Sequence, residues 1–194
     1  YTESFGGPEP MTPELVDFIT NWEVESYRSK VSLAGTVKRR LENKIAIVTG
    51  SAQGFGRGIA EELASEGAYI VVADMNEDGA KECAAAICDK YGKGAAIAVK
   101  TNVTDEESVK EMVSRAVLEY GGLDVFVNNA GIVRAGGVDE MTKENFELVT
   151  AVNYTAYFLC VKYASAVMKT QRSVSPEYLT DIIEINSKSG LDGS

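Results

Sequence analysis

From Lys44 onward, short apolar runs alternate with longer stretches whose apolar residues recur every three or four positions. Ile45-Ala46-Ile47-Val48 is an unbroken apolar run, the pattern of a strand covered on both faces. The stretch that follows places Ile59, Ala60 and Leu63 at helical spacing. Ala68–Asp74 reads as a second buried strand, Glu77 to about Tyr91 as a helix, and Ala95–Val99 as a third strand. Thr104-Asp105-Glu106-Glu107 is a helix-start signal, with Val109, Met112, Val113, Ala116 and Val117 forming the apolar stripe behind it. Asp124–Asn128 is the fourth strand, Thr142 opens a region leading to a long helix over about 146–169, and Ile182–Asn186 is the fifth strand. Strands separated by helices of these lengths require right-handed crossovers and a parallel sheet. The expected architecture is α/β: a doubly wound, three-layer parallel sheet.

Two regions extend this picture. Residues 1–11 contain Gly and Pro and read as irregular, whereas Thr12-Pro13-Glu14 is a helix start. Leu15, Phe18, Ile19 and Trp22 then make an apolar stripe, and the helix is expected to run to about Val31. The chain thus divides into an N-terminal extension with one helix, 1–40, and a main domain, 41–194. In the long helix, Phe146, Val149, Val152, Leu159 and Val167 form one apolar face, which Tyr154, Tyr157, Phe158 and Val161 widen. Such breadth predicts burial on more than one side. One side would meet the sheet and the other a second subunit, so a homo-oligomer through 146–169 is expected.

Composition removes several classes of function. The 194 residues are 45% hydrophobic and 25% charged, with a net charge of −10; that field disfavours nucleic acid. No run approaches the ~18 apolar residues of a membrane span, and the N-terminus lacks the order of a secretory signal. The absence of His excludes a His-based triad. Cys83, Cys88 and Cys160 lack metal-type spacing and are expected to be reduced, small apolar residues, with no metal site. The expected compartment is the cytoplasm.

The candidate chemistry begins where the first strand ends. Thr49-Gly50-Ser51-Ala52-Gln53-Gly54-Phe55-Gly56 lies between a buried strand and a helix. Its glycines suit a sharp turn held close to a pyrophosphate, and the next helix aims free N–H groups and a positive dipole end at that phosphate. Asp74, at the end of the second strand, suits an acid that bonds the adenosine ribose and repels a 2′-phosphate. The alternative is a solvated strand-end acid or a cap for Glu77, and the glycine motif at the correct distance favours the cofactor role. The expected cofactor is NAD, with contacts from Gly50, Ser51, Gln53, Gly54, Phe55, Gly56, Asp74 and Met75. Arg57 would tolerate additional phosphate, or serve as a helix-surface ion.

Asn128-Asn129-Ala130-Gly131 closes the fourth strand at the same edge of the sheet. T-G-x-x-x-G-x-G followed by N-N-A-G resembles the short-chain dehydrogenase/reductase family, a Rossmann-type fold, over about Leu41 to the C-terminus. The resemblance implies that Asn129, Ala130 and Gly131 border the cofactor, and that Asn102-Val103 stands beside the adenine, with Asn where the family has Asp. It also implies two catalytic positions. Asn153 matches the Asn that supports an ordered water in a proton relay, and Ser187, preferred over Ser189, matches the serine that bonds the reacting substrate oxygen.

The family's catalytic base, a tyrosine with a lysine one helical turn on, lies about a dozen residues past that serine. Only Lys188 to Ser194 follow Ser187, and Tyr163 and Tyr178 lie upstream. The expectation is therefore an NAD-dependent oxidoreductase whose sheet is C-terminally incomplete and whose chain alone is inactive. Ile185-Asn186-Ser187-Lys188-Ser189-Gly190 resembles sorbitol-6-phosphate 2-dehydrogenases and the dehydrogenase half of bifunctional aldolase/short-chain dehydrogenases. Asn21–Arg28 resembles the junction of such fusions. The implied partner is a small polyol or sugar-phosphate substrate, with Lys188 as a phosphate partner or a solvated cation. The alternatives are a lactaldehyde-type dehydrogenase half of an aldolase fusion and a non-catalytic NAD-binding module.

Overall fold

The computed structural model describes residues 12–13, 39–134 and 136–187. The expected N-terminal helix beyond Pro13, and Lys188, Ser189 and Gly190, lie outside the described residues.

From Arg39 on, five strands alternate with helices: β1 (Ile45–Thr49), α1 (Gly54–Ser65), β2 (Tyr69–Asp74), α2 (Glu77–Tyr91), β3 (Ala96–Lys100), α3 (Glu106–Tyr120) and β4 (Val125–Asn128). Then come α4 (Lys143–Thr150), a π-turn (Ala151–Thr155), α5 (Ala156–Val174) and β5 (Asp181–Glu184). The sheet is parallel throughout, in the order β3-β2-β1-β4-β5. Val48 stands beside Val72 on one side and Val127 on the other. β1 and β4 are neighbours, yet the crossovers from them leave in opposite directions. Their C-terminal ends therefore diverge into a crevice, the site where open α/β sheets bind ligands.

Alternation along the strands sorts the core into two layers. Ile47, Val71 and Phe126 face α3 and α5, packing on Val109, Met112, Ala156 and Cys160. Val48, Val72 and Val127 face α1 and α2, packing on Ala60, Ala64, Ala80 and Cys83. Both faces of the central strands are thus covered, as the unbroken apolar runs require. Helix starts follow side-chain chemistry. Asn76 accepts a bond from Gly79 N, Asp105 from Glu107 N and Thr142 from Asn145 N, and each of these helices has an acid in its first turn. Asn76, not Asp74, caps α2.

The long helix differs from expectation. It runs from Lys143 to Val174 and is interrupted by the π-turn. Its buried line is Val152, Ala156, Cys160, Ala164 and Met168, at i,i+4 spacing. Small residues on this line let the helix approach the sheet and α3 closely, and Leu159 and Val167 only flank it. Phe146, Tyr154 and Phe158 point to solvent, Tyr154 being 76% exposed.

At the sheet edge opposite the crevice, Asp124 is 1% exposed. Its carboxylate accepts from Ile45 N (2.8 Å) and Lys44 Nζ (2.8 Å), and Lys44 lies 4.3 Å from the Tyr178 ring centre. Burial alone would lower the Lys44 pKa, but the bond to Asp124 and the charge of that carboxylate outweigh it and hold the amine above its ordinary value.

Candidate functional site

A cavity of about 420 Å³ opens at the C-terminal ends of β1, β2, β3 and β4. Gly50 and Gly54 have φ of +65° and +60°, which lets the chain turn back from β1 into α1. Gly56 answers a different need. A Cβ there would strike the Gly50 carbonyl oxygen and lie 2.5 Å from Asn129 Nδ2. The first turn of α1 carries no acid, and Gln53 at its cap makes no side-chain bond to it. The amides and positive end of this helix therefore face the cavity uncompensated, an arrangement suited to an anionic group such as pyrophosphate.

The asparagine-rich segment after β4 is bonded directly to this loop. Asn129 Nδ2 donates to Thr49 O (2.9 Å) and Gly50 O (3.1 Å). Thr49 Oγ1 accepts from Asn129 N (3.0 Å) and Ala130 N (3.1 Å). Thr49 is fully buried, so its hydroxyl ties the floor of the crevice together. Asn129, Ala130 and Gly131 all line the cavity.

On the β2 side, Asp74 Oδ2 accepts from Ala52 N (2.9 Å) and Oδ1 from Asn76 N (2.8 Å). The carboxylate is therefore fixed between the glycine loop and the start of α2 while lining the cavity. Each oxygen keeps a lone pair for a ribose hydroxyl. Met75 and Phe55, the latter 87% exposed, stand at the mouth. Asn102 Oδ1 accepts from Thr104 N (3.1 Å) and Thr104 Oγ1 (2.8 Å), so its oxygen holds the β3–α3 turn. Asn102 and the buried Val103 complete the third wall. Arg57 points elsewhere, to Glu61 (2.9 Å) and Glu82 (3.2 Å), whose bonds raise its pKa.

Three expected residues differ from the others. Ser51 does not line the cavity: it is fully buried, its hydroxyl donates to Val48 O (2.6 Å) and it accepts from Ala73 N (3.1 Å). Its side chain braces the loop from inside instead of facing a ligand. Asn153, in the π-turn, accepts from Ile132 N (2.9 Å) and donates to Ile132 O (2.8 Å). The amide thus clamps the segment after Gly131. Ser187 is exposed, three residues past β5, and does not line the cavity; its N–H bonds Asn186 Oδ1 at 2.8 Å.

Neither upstream tyrosine reaches the crevice. Tyr163 donates to Glu106 (2.8 Å) on the surface between α3 and α5, and Tyr178 stands beside Lys44 at the opposite edge. Thr101, Ile132 and Val152 also line the cavity and were missed in the sequence. Thr101 and Ile132 adjoin the motifs Asn102-Val103 and Asn128–Gly131, so extending each motif by one residue would have found them. Val152 carried no signal beyond membership of an apolar stripe.

Among the described residues, no helix is long and apolar enough to cross a membrane. No cluster of three or more His, Cys, Asp or Glu able to hold a metal ion occurs among them either.

Comparison with known proteins agrees with this geometry. Residues 44–194 match the family described as short chain dehydrogenase. The chain is 41% identical over 150 residues to the uncharacterized oxidoreductase YuxG of Bacillus subtilis, covering 77% of this chain and 21% of that one. It is 40% identical over 125 residues to 2,5-dichloro-2,5-cyclohexadiene-1,4-diol dehydrogenase LinX of Sphingobium indicum, covering 64% and 49%. A crystal structure of 3-ketoacyl-(acyl-carrier-protein) reductase from Brucella melitensis, complexed with NADH, superposes with a TM-score of 0.73 at 29% identity, covering 79% of this chain and 61% of that one. The chain thus spans less than two thirds of the length of each of these relatives. By the match over residues 44–194, the chain belongs to the short-chain dehydrogenase family.

Proposed function

We propose that the crevice binds NAD, and that the protein interconverts a secondary alcohol and a ketone by hydride transfer. The carrying observation is the Asp74 carboxylate, fixed beside the glycine loop by Ala52 N and Asn76 N. There it would accept ribose hydroxyls and repel a 2′-phosphate, favouring NAD over NADP. The cavity fits the cofactor: Gly50 and Gly54 turn the loop back beside it, and α1 presents uncompensated amides to it. The relative from Brucella melitensis, crystallised with NADH, supports the same assignment.

NAD supplies the hydride acceptor when bound. Gly50, Gln53, Gly54, Phe55 and Gly56 would seat its phosphates, Asp74 and Met75 its ribose, and Asn102 and Val103 its adenine. Asn129, Ala130 and Gly131 would border the reacting half. Asn153 keeps the 130–132 backbone in place, and Ser187 would bond the substrate oxygen. The substrate we favour is a polyol or sugar-alcohol phosphate resembling sorbitol 6-phosphate, on the wording of residues 185–190. The exposed aromatic residues of α4 and α5 support a homo-oligomer.

A lactaldehyde-type dehydrogenase joined to an aldolase is the second reading. It is favoured by the YuxG match, which occupies only 21% of that relative. Adding each substrate to the protein with bound NADH, and following the cofactor's fluorescence, separates them. Saturable change with sorbitol 6-phosphate supports the first, change with lactaldehyde alone supports the second, and no NADH binding removes both.

A further inference from the structure

Asn153 has a counterpart at the far end of the same helix. Gln171 Oε1 accepts from Leu123 N (2.8 Å), and Gln171 Nε2 donates to Leu123 O (3.1 Å). Asn153 bonds Ile132 in the same two-way manner. Leu123 lies just before β4 and Ile132 just after its asparagine-rich extension. Two side-chain amides on one helical run therefore grip the backbone at both ends of the strand that floors the cofactor crevice.

The spacing makes this grip a gauge. The two amides lie about 27 Å apart along the helical run at roughly 1.5 Å per residue, and both face the β4 segment that they bond. Extended chain from Leu123 to Ile132 spans at most about 30 Å at roughly 3.3 Å per residue. The bonds at both ends hold the helical run and the β4 segment to one span. A helix free to slide along its small-residue line would carry Asn153 away from Ile132. Gly122 shows how tightly the far clamp is set: a Cβ there would lie 3.0 Å from Gln171 Oε1. Leu123 is fully buried, so its backbone groups meet no solvent that might replace Gln171.

We infer that Gln171 is a positioning residue for the cofactor site: by fixing α5 against Leu123, it sets the register that places Asn153 on Ile132. The inference rests on the assignment of the crevice to NAD, since Ile132 lines that cavity together with Val152.

The test uses Gln171→Met, which keeps volume and removes both bonds, and Gly122→Ala, which crowds the same clamp without altering the helix. The first readout needs no cofactor. Amide exchange at Ile132 should quicken about tenfold in either variant, while the α2 amides keep their protection. The second is NADH titration of wild type, Gln171→Met, Asn153→Ala and the double variant. If Gln171 acts through Asn153, each single change weakens NADH binding by about tenfold and the double variant binds as Asn153→Ala does. Unchanged Ile132 exchange, or losses that multiply in the double variant, would overturn the inference. Absence of NADH binding by wild type, with Ile132 exchange responding as expected, would refute only the cofactor assignment. Should Gln171→Met not fold, Gly122→Ala carries both readouts.

Discussion

Asn153 holds Ile132 by two hydrogen bonds, 2.9 Å to its N–H and 2.8 Å from its carbonyl, joining the π-turn to the wall of the crevice. A π-turn widens one turn of the helix. Here it falls where the helix must reach out from the core to the chain leaving β4. Asn153→Asp retains the acceptor for Ile132 N but sets a carboxylate against Ile132 O. We expect NADH affinity to fall by about tenfold, equivalent to ~1.4 kcal/mol, with a smaller effect on the denaturation midpoint. Parallel NADH and urea titrations measure the two.

Gly54 and Gly56 should respond differently to alanine. At Gly54 an added Cβ meets no atom within 4 Å, and only the positive φ is strained. The cost should be roughly 1–2 kcal/mol of stability, with cofactor binding largely kept. At Gly56 the Cβ strikes Gly50 O and Asn129 Nδ2, forcing apart the two segments that form the crevice floor. Gly56→Ala should therefore abolish detectable NADH binding even where circular dichroism reports a folded protein.

The Lys44–Asp124–Tyr178 group should make the fold sensitive to alkali. The Lys44 pKa is raised in the folded state, so its contribution is complete below the ordinary lysine value of 10.5 and lost as pH rises through the higher folded value. Tyr178 is raised as well, first by its hydrogen bond to Asp124 and then by burial. Its phenol ionises more readily in the unfolded chain, which again favours unfolding above about pH 10. Urea midpoints should hold from pH 7 to 9 and fall from pH 10 to 11. Asp124→Asn should lower the plateau by about 3 kcal/mol and flatten the alkaline fall.

Strand positions, the glycine loop and the acid at Asp74 were legible because each is a local pattern: an apolar run, a turn-former, a strand end. The buried face of the long helix was not. Large residues suggested Phe146, whereas close approach to α3 and the sheet selected Ala156, Cys160 and Ala164. Ser51 looked like a ligand contact by position, but its hydroxyl is drawn inward by Val48 O and Ala73 N. The clamps of Asn153 and Gln171 join residues distant in sequence, and nothing local announces them.

The outward aromatic residues Tyr154 and Phe158 should matter for association. If they form the contact between subunits, Phe158→Glu should shift the sedimentation coefficient to that of a monomer without changing NADH affinity. A wild-type chain that sediments as a monomer at micromolar concentration would remove the expected oligomer.

The central assignment, an NAD site specified by Asp74, is tested most directly by titrating the protein with NADH and NADPH and repeating both titrations with Asp74→Asn. Wild type should bind NADH at least about tenfold more tightly than NADPH, a difference of ~1.4 kcal/mol. Asp74→Asn should narrow that ratio, chiefly by improving NADPH binding. Equal affinity for the two cofactors in wild type, or no binding of either, would contradict it.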